Sequence, residues 1–412
     1  MRREQFNQFK TLLKRLSENS PFYRRKFEEY GIDINKVQSM EDIQYLPFTT
    51  KEELRDAYPL GLQAVPDEDV VRIHSSSGTT GKPVIIPYTK SDVDVWAELM
   101  GRCMETAGVT KTDRVQITPG YGLWTAGIGF QAGVEKLGAM AVPMGPGNTE
   151  KQLQMMVDLK STVLIGTSSY GLLIAEEVCK REIKQHIRLK KGIFGSERWG
   201  EKMRKRIEDE LGIQTYDIYG LTEIYGPGIA IDCDEHSGMH YWDDHLYFEI
   251  IDPATGNVLP EGEYGELVIT TLTKEGAPLL RYRTRDLTRL IPGQCACGRP
   301  YPRLDRIIGR TDDMVKVKGV NIYPGQIDGL LRSIEGVSSE YQVVVSHIDG
   351  KDVMTLRVEM SHLCNKIDIE TMVAEHFKKL IGLSIHVEAL EVGGLPRSEK
   401  KTKRILDYRD VG

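Results

Sequence analysis

The chain has 412 residues, 40% of them hydrophobic and 28% charged, a length and balance that suit a globular protein of two or three domains. A formal net charge of -6 leaves no basic surplus for a general nucleic-acid binder. The start, MRREQFNQFKTLL, has no apolar core or cleavage site, and no uninterrupted apolar run approaches a membrane span, so the reading is a cytoplasmic protein with neither membrane nor nucleic acid as partner. Six cysteines at 103, 179, 233, 295, 297 and 364 are too few and too scattered for a disulfide scaffold, which leaves reduced thiols or a metal site.

Residues 1 to 70 read as a helical lead-in. FNQFKTLLKRLSE repeats its apolar positions with a helical period, and PFTTKEELRDAYP carries a capping box, Thr50 followed three residues later by Glu53. Next comes SSSGTTGKP, residues 75 to 83, with three serines, two threonines, two glycines and one lysine in nine positions. The glycines let successive N–H groups converge, the hydroxyls of Ser75, Ser76, Ser77, Thr79 and Thr80 add neutral donors, and Lys82 adds a positive charge, all of which suits an anion. The spacing is not that of a Walker A loop, because Gly78 and Gly81 enclose only two residues and Pro83 follows Lys82. The flanks VVRIH and PVIIPYT are β-branched and apolar, so the loop is expected to join two strands. A plain Ser/Gly turn without a ligand is the alternative.

From about residue 89 strand and helix trade places: DVDVWAELMGRCMETAG, DRVQIT, a glycine-rich helix after GYGLW, AMAVPM, TEKQLQMMVDL, STVLIGT, LLIAEEVCKREI and KKGIFGS. Short apolar strands separated by helices predict parallel βαβ units, with ligands beyond the carboxyl ends of the strands. After about 240, HLYFEIIDPATGNVLPEGEYGELVITTLT reads as an antiparallel meander reaching to about 305. The pattern changes again at GRTDDMVKVKGVNIYPGQI, after which EYQVVVSH, DVMTLRVEM, DIETMVAEHFKKLI and SIHVEALEV form a compact α+β unit. The expected fold is therefore α/β. Residues 1–310 would form a large domain of mainly parallel sheets with a small antiparallel β subdomain, and 311–412 a small α+β domain.

Three further stretches carry chemistry. DIYGLTEIYGPG, residues 217 to 228, ends a strand with Tyr219, whose ring offers a face to a base, and Glu223, a carboxylate able to hold Mg²⁺ beside phosphates. RYRTRD, residues 281 to 286, ends on Asp286, which can accept from a ribose diol or pair with Arg283 or Arg285. Cys233, His240, Cys295 and Cys297 form C-x₆-H followed about fifty residues later by C-x-C, a closed tetrahedral set suited to structural Zn²⁺, with His236 and His245 as alternative ligands and a metal-free reduced set as the competing reading.

SSSGTTGKP, YGLTE, YRTRD and GRTDDMVKVKG, in this order, resemble the adenylate-forming acyl-CoA synthetase superfamily. PFTTKEELRDAYPLGLQAVP, VRIHSSSGTTGKP, TLTKEGAPLLRYRTRDLTRL, RLDRIIGRTDDMVKVKGVNIYP and GLPRSEKK resemble phenylacetate-CoA ligases in particular, and together span nearly the whole chain. The resemblance implies a carboxylic acid, ATP and CoA as partners: carboxylate and ATP give an acyl-adenylate and pyrophosphate, then the CoA thiol gives a thioester and AMP. It implies that Ser75 to Lys82 grip pyrophosphate, Tyr219 and Gly220 face the adenine, Thr222 touches the α-phosphate and Glu223 carries Mg²⁺, while Asp286 and Arg310 hold the ribose. Ser196 and Glu197 would run along the adenine, although the proline usual after the glutamate is Arg198 here. Lys401 would serve the adenylation half-reaction, with the adjacent Lys400, standing where the family has glycine, as the alternative, and Asp312 would be the hinge of a mobile C-terminal domain. The acid pocket would be walled by Tyr121 and Trp124, a position where related ligases commonly carry Phe, with room left by Gly127 and Gly129; this favours an aromatic or arylacetic acid over phenylacetate alone. A homodimer is implied by the resemblance only. Two other readings stay open: an adenylating enzyme that passes acyl-AMP to a carrier-protein thiol or AMP to another acceptor, and a nucleotide-binding protein that has lost catalysis.

Overall fold

The alternation between residues 89 and 221 builds the centre of a nine-stranded sheet in the computed structural model, which describes residues 2–76, 82–123, 125–348, 351–361, 363–398 and 402–409. Across the sheet the order is Leu290–Ile291, Arg303–Leu304, Met239–Tyr241, Gly226–Asp232, Gln214–Leu221, Lys191–Gly195, Val163–Thr167, Arg114–Ile117, Met140–Pro143. The last five pair in parallel, as the βαβ pattern predicts. From Arg114–Ile117 the chain first steps to Met140–Pro143 and then returns to Val163–Thr167 on the other side. Such a reversal opens a crevice at the carboxyl ends of the two central strands.

The strands are apolar on both faces because helices cover both. Val115, Ile117, Ile165 and Ile193 pack under the helices Lys90–Thr106 and Ala126–Leu137, whereas Leu164, Phe194, Met203 and Ile207 form a second core with Ser168–Lys180 and Glu201–Leu211. SSSGTTGKP does join two strands, since Val70–Ser75 and Ile85–Thr89 pair antiparallel with Ser75 opposite Ile85.

The predicted meander divides between two sheets. Leu246–Ile251, Gly265–Thr271, Tyr282–Thr288 and Gly309–Arg310 form a four-stranded antiparallel sheet, while Met239–Tyr241, Leu290–Ile291 and Arg303–Leu304 extend the nine-stranded one. Alternation along each strand reports its period but not its partner, so sequence reading merges the two. In the lead-in, the capping box at Thr50 is formed, and the buried Tyr23 hydroxyl meets Thr49 Oγ1 at 3.0 Å and accepts from the Leu280 N–H at 2.9 Å. The helical lead-in is thereby tied to the antiparallel sheet.

Residues 315 to 389 bury a core of their own, including Val343, Leu356, Val373 and Phe377. It lies on a four-stranded sheet ordered His386–Glu391, Lys351–Met360, Val337–Ile348, Ile405–Asp407, with helices Pro324–Arg332 and Lys366–Ile381 packed against it. Among the described residues no helix is long and apolar enough to cross a membrane.

Candidate active site

Three segments singled out in the sequence lie at carboxyl ends of the parallel strands, and sequence reading missed a fourth. Tyr121 follows Arg114–Ile117, Ser196 and Glu197 follow Lys191–Gly195, and Tyr219 to Glu223 close Gln214–Leu221, while the unforeseen Ser168 and Ser169 follow Val163–Thr167. Glycine is required where these strand ends crowd each other. A Cβ on Gly195 would lie 2.1 Å from the Ile218 carbonyl oxygen, and one on Gly220 2.0 Å from that of Gly226.

Asp286 and Arg310 are direct partners across the antiparallel ladder. The Arg310 Nη1 donates to Asp286 Oδ1 at 2.9 Å, and the Tyr219 hydroxyl donates to Oδ2 at 2.5 Å, which joins the end of the large sheet to the small one. Burial pushes the Asp286 carboxyl above its usual range, against the pull of Arg310 and Tyr219. Arg310 also grips Asp312, through Nε at 2.8 Å and Nη2 at 3.0 Å, and Asp312 is held below the ordinary carboxylate range by that contact despite its burial. The local pairing of Asp286 with Arg283 or Arg285 is overturned. Arg283 is bound to Glu266 and Arg285 to Glu52, because side chains alternate along the strand and these two point away from Asp286.

Glu223 is buried and its Oε1 lies 3.2 Å from Lys51 Nζ. Beside it, Thr222 Oγ1 meets Thr125 Oγ1 at 3.3 Å, so the strand end touches the segment that opens the glycine-rich helix. Ser75 reaches the same place from the other side, its N–H donating to the Leu123 carbonyl at 2.9 Å, while Ser76 Oγ accepts from the Val84 N–H at 2.9 Å. Lys82 is exposed, 5.9 Å above the Tyr58 ring. Tyr121 packs on Gly127, where a Cβ would meet its ring at 2.7 Å, and burial raises the Tyr121 hydroxyl to about 12. Gly129 does not open a pocket, for its missing Cβ is replaced by the Trp96 ring at 2.2 Å. Ser77, Gly78, Thr79, Thr80, Gly81, Trp124, Lys400 and Lys401 lie outside the described residues.

Glu197 joins the two parts of the molecule. Its Oε1 accepts from the Ser169 N–H at 2.6 Å and from Ser168 Oγ at 3.1 Å, and its Oε2 accepts from the Thr402 N–H at 3.0 Å. Arg198, the departure from the family pattern, is ion-paired with Asp328 on the helix Pro324–Arg332. Ser196 adopts a left-handed φ of 68° at this junction.

The ligand atoms of Cys233, His240, Cys295 and Cys297 all lie within 4.8 Å of one another. The Cys233 and Cys295 sulfurs are 3.8 Å apart, the edge of a tetrahedron built on bonds of about 2.3 Å, and Cys297 Sγ is 3.2 Å from His240 Nε2. His240 Nδ1 sits 2.9 Å from the Tyr301 carbonyl, which can only accept. That bond fixes the proton on Nδ1 and leaves the Nε2 lone pair facing the thiols. Burial raises the Cys233 thiol, whereas hydrogen bonds from Cys297, Ser237 and His240 outweigh burial at Cys295 and lower it. His236 faces Asp232 and His245 faces Thr273, so neither competes for this set.

Sequence reading missed two cations. Lys51 was hidden inside a capping box that accounted for its neighbours. Lys274 is fully buried between the Tyr88 and Tyr225 rings, 4.2 and 4.6 Å from their centres, and donates to the Ile224 carbonyl next to Glu223. The TLTKEGAP stretch that contains it reads as a strand followed by a turn and as part of the family resemblance, and neither marks the lysine.

The family models for the AMP-binding enzyme and for the AMP-binding enzyme C-terminal domain match residues 25–273 and 319–409. Phenylacetate-coenzyme A ligase of Pseudomonas putida is 42% identical over 99% of this chain and 94% of its own length. Among solved structures, 2-hydroxyisobutyryl-CoA ligase in the postadenylation state in complex with 2-HIB-AMP is 29% identical, with a TM-score of 0.89 over 99% of this chain and 89% of that one. The same ligase with 2-HIB-AMP and CoA in the thioesterification state has a TM-score of 0.73 over 100% of this chain and 90% of that one. The chain belongs to the phenylacetate-CoA ligase family and is an AMP-forming acid–CoA ligase of the AMP-binding enzyme fold.

Proposed function

We propose that the chain activates an aromatic or arylacetic acid, phenylacetate-like, with ATP and passes the acyl group to CoA through the residues converging on the strand ends. The observation that carries this reading is that one strand end supplies both Tyr219, hydrogen-bonded to Asp286 and through it to Arg310, and Thr222, which meets Thr125, while Ser75 binds the nearby Leu123 carbonyl. A carboxylate is a poor electrophile until its oxygen is part of a good leaving group, and AMP provides one. The protein has to hold the anions in line and stabilise charge at the α-phosphate.

In this reading the 75–82 loop grips pyrophosphate, Tyr219 and Gly220 face adenine with Ser196 and Glu197 along its edge, Thr222 touches the α-phosphate, and Asp286 with Arg310 accepts and donates at the ribose hydroxyls. Glu223 would hold Mg²⁺, which would neutralise phosphate charge there; its buried Oε1 has no hydrogen-bond partner and only the Lys51 ammonium as an ionic neighbour. Lys401 serves adenylation as a long-stemmed cation bridging carboxylate and phosphate. Tyr121, Trp124 and Gly127 bound the acid. Residues 1–310 and 311–412 act as separate domains that turn about Asp312, whose two contacts with Arg310 lie at the junction. We place the enzyme in the cytoplasm as a homodimer, a state that light scattering of the purified protein would check.

Structural zinc is supported by the donor set and by the His240 tautomer that Tyr301 fixes. Purified protein should carry about one zinc per chain, and metal analysis finding none would overturn the assignment. The function is tested by incubating the protein with Mg-ATP and a panel of aromatic and aliphatic acids, with and without CoA. The expected products are AMP and an arylacyl-CoA. AMP or acyl-adenylate release indifferent to CoA would point instead to a carrier thiol or another acceptor, and absence of acid-dependent ATP cleavage would point to a protein that has lost catalysis.

A further inference from the structure

We infer that Glu176 is a positioning residue for the adenylation half-reaction: through Arg397 it holds the segment that carries Lys401 against the large part of the molecule, and it releases that segment for thioester formation. The inference rests on the assignment of Lys401 to adenylation.

Arg397 lies in LPRSEKK, four residues before Lys401, and binds two carboxylates at once. Its Nε and Nη2 donate to Glu176 at 2.9 and 2.7 Å, and its Nη1 and Nη2 donate to the two oxygens of Glu359, each at 2.8 Å. Glu176 belongs to the helix Ser168–Lys180 of the large part, Glu359 to the strand Lys351–Met360 of the small one. On the other side of Lys401, Thr402 is held by the large part as well, through Glu197 and through Ser169 Oγ at 2.6 Å. Arg397 and Thr402, the described residues with contacts on either side of Lys401 in sequence, are therefore both held by the large part.

The two halves of the Arg397 contact differ in what breaking them would cost. Glu359 is fully buried and also accepts from the Leu395 N–H at 2.9 Å, so losing Arg397 would strand a charge in a core. Glu359, Leu395 and Arg397 belong to the same part and move together. Glu176 is about one-fifth exposed and keeps a second cation, Arg206 Nη2 at 2.6 Å, when Arg397 leaves. Separation at Glu176 thus leaves neither carboxylate unpaired. A guanidinium whose fork matches two carboxylates geometrically holds one arrangement firmly, yet here the half that crosses the boundary is the half that can be given up. The arrangement in which Arg397 meets Glu176 resembles the relative's postadenylation state, at a TM-score of 0.89, more than its thioesterification state, at 0.73.

The test compares Glu176→Gln with the unaltered full-length enzyme in two assays: acid-dependent exchange of pyrophosphate into ATP, and thioester formation from chemically prepared acyl-adenylate and CoA. Exchange is expected to fall about tenfold, a typical coupling for a two-state arrangement, with KM for ATP unchanged and thioester formation undiminished. Glu176→Asp, which keeps the charge, should recover part of the exchange and covers the case in which the first variant folds poorly. Equal loss in both half-reactions, or no loss in either, would overturn the inference. Lys401→Ala run in parallel separates the two ideas. If it retains exchange while Glu176→Gln loses it, the lysine assignment falls and the positioning role stands; if it alone loses exchange, the positioning role falls.

Discussion

Asp286 and Arg397 are both held by ionic and hydrogen-bonded pairs, but they are built on opposite plans. Asp286 takes its partners from two sheets of the large part, and strand register places Arg310 opposite it before any ligand arrives. Arg397 takes its partners from both parts, so its geometry exists only while those parts face each other in one way. On the proposed reading, a pair set by register persists in every state of the enzyme, whereas a pair that spans the boundary reports which state the enzyme is in. Changes at the first kind should be felt in both half-reactions, and changes at the second in one.

The sharpest break of that contrast is Lys401→Ala. We expect it to slow adenylation by about a hundredfold or more, the scale of removing one group that stabilises developing charge, while thioester formation from supplied acyl-adenylate continues. Next is Asp286→Ala, expected to cost about thirtyfold in kcat/KM for ATP and a comparable factor for the acyl-adenylate, because Arg310 and the Tyr219 hydroxyl lose their acceptor in a buried place. Adenylation falling alone in Asp286→Ala would show that the register pair is itself state-dependent.

Two further changes belong wholly inside the large part. Cys295→Ser should remove zinc and lower Tm by about 5 °C or more, with the ratio of the two half-reaction rates unchanged in the protein that stays folded. Lys274→Met gives the smallest effect and the one most open to pH. Burial drives the ammonium of Lys274 down to about 7. Between that pH and the ordinary lysine value of about 10.4, the unfolded chain binds a proton that the folded chain does not, so stability rises with pH. The methionine variant lacks this dependence, and the stability of the natural enzyme relative to it should grow by up to about 2 kcal/mol from pH 7 to 9, measured by denaturant unfolding.

Legibility followed the range of the interaction. The capping box at Thr50, the hairpin on either side of SSSGTTGKP and the parallel alternation were readable because period and local chemistry decide them. The cysteine and histidine set was readable too, since few side chains can share a metal and all of them carry a spacing. Asp286 was harder. Its true partner stands 24 residues away, and nearer arginines offered themselves first. Lys51, Lys274 and Arg397 were not readable as parts of a site, because a cation in a cap, a turn or a basic tail looks the same in sequence whether it faces water or a buried carboxylate. Arg198 was noticed only as a departure from pattern, and its meaning lies in Asp328, far along the chain.

The cysteine cluster has a consequence for how the enzyme ages. It draws together the turn after Gly226–Asp232, the short strand Met239–Tyr241 and the loop between Leu290–Ile291 and Arg303–Leu304, which make up one border of the nine-stranded sheet. The opposite border is a four-residue strand ending in Pro143, a residue that cannot donate to a neighbour. The cinched border is protected differently, by being only two residues long. With the zinc proposed above bound, peroxide or a chelator that opens the cluster would free that loop to lengthen the border strand, and copies of the enzyme would then pair edge to edge, so that opening the cluster would appear first as turbidity rather than as slower turnover.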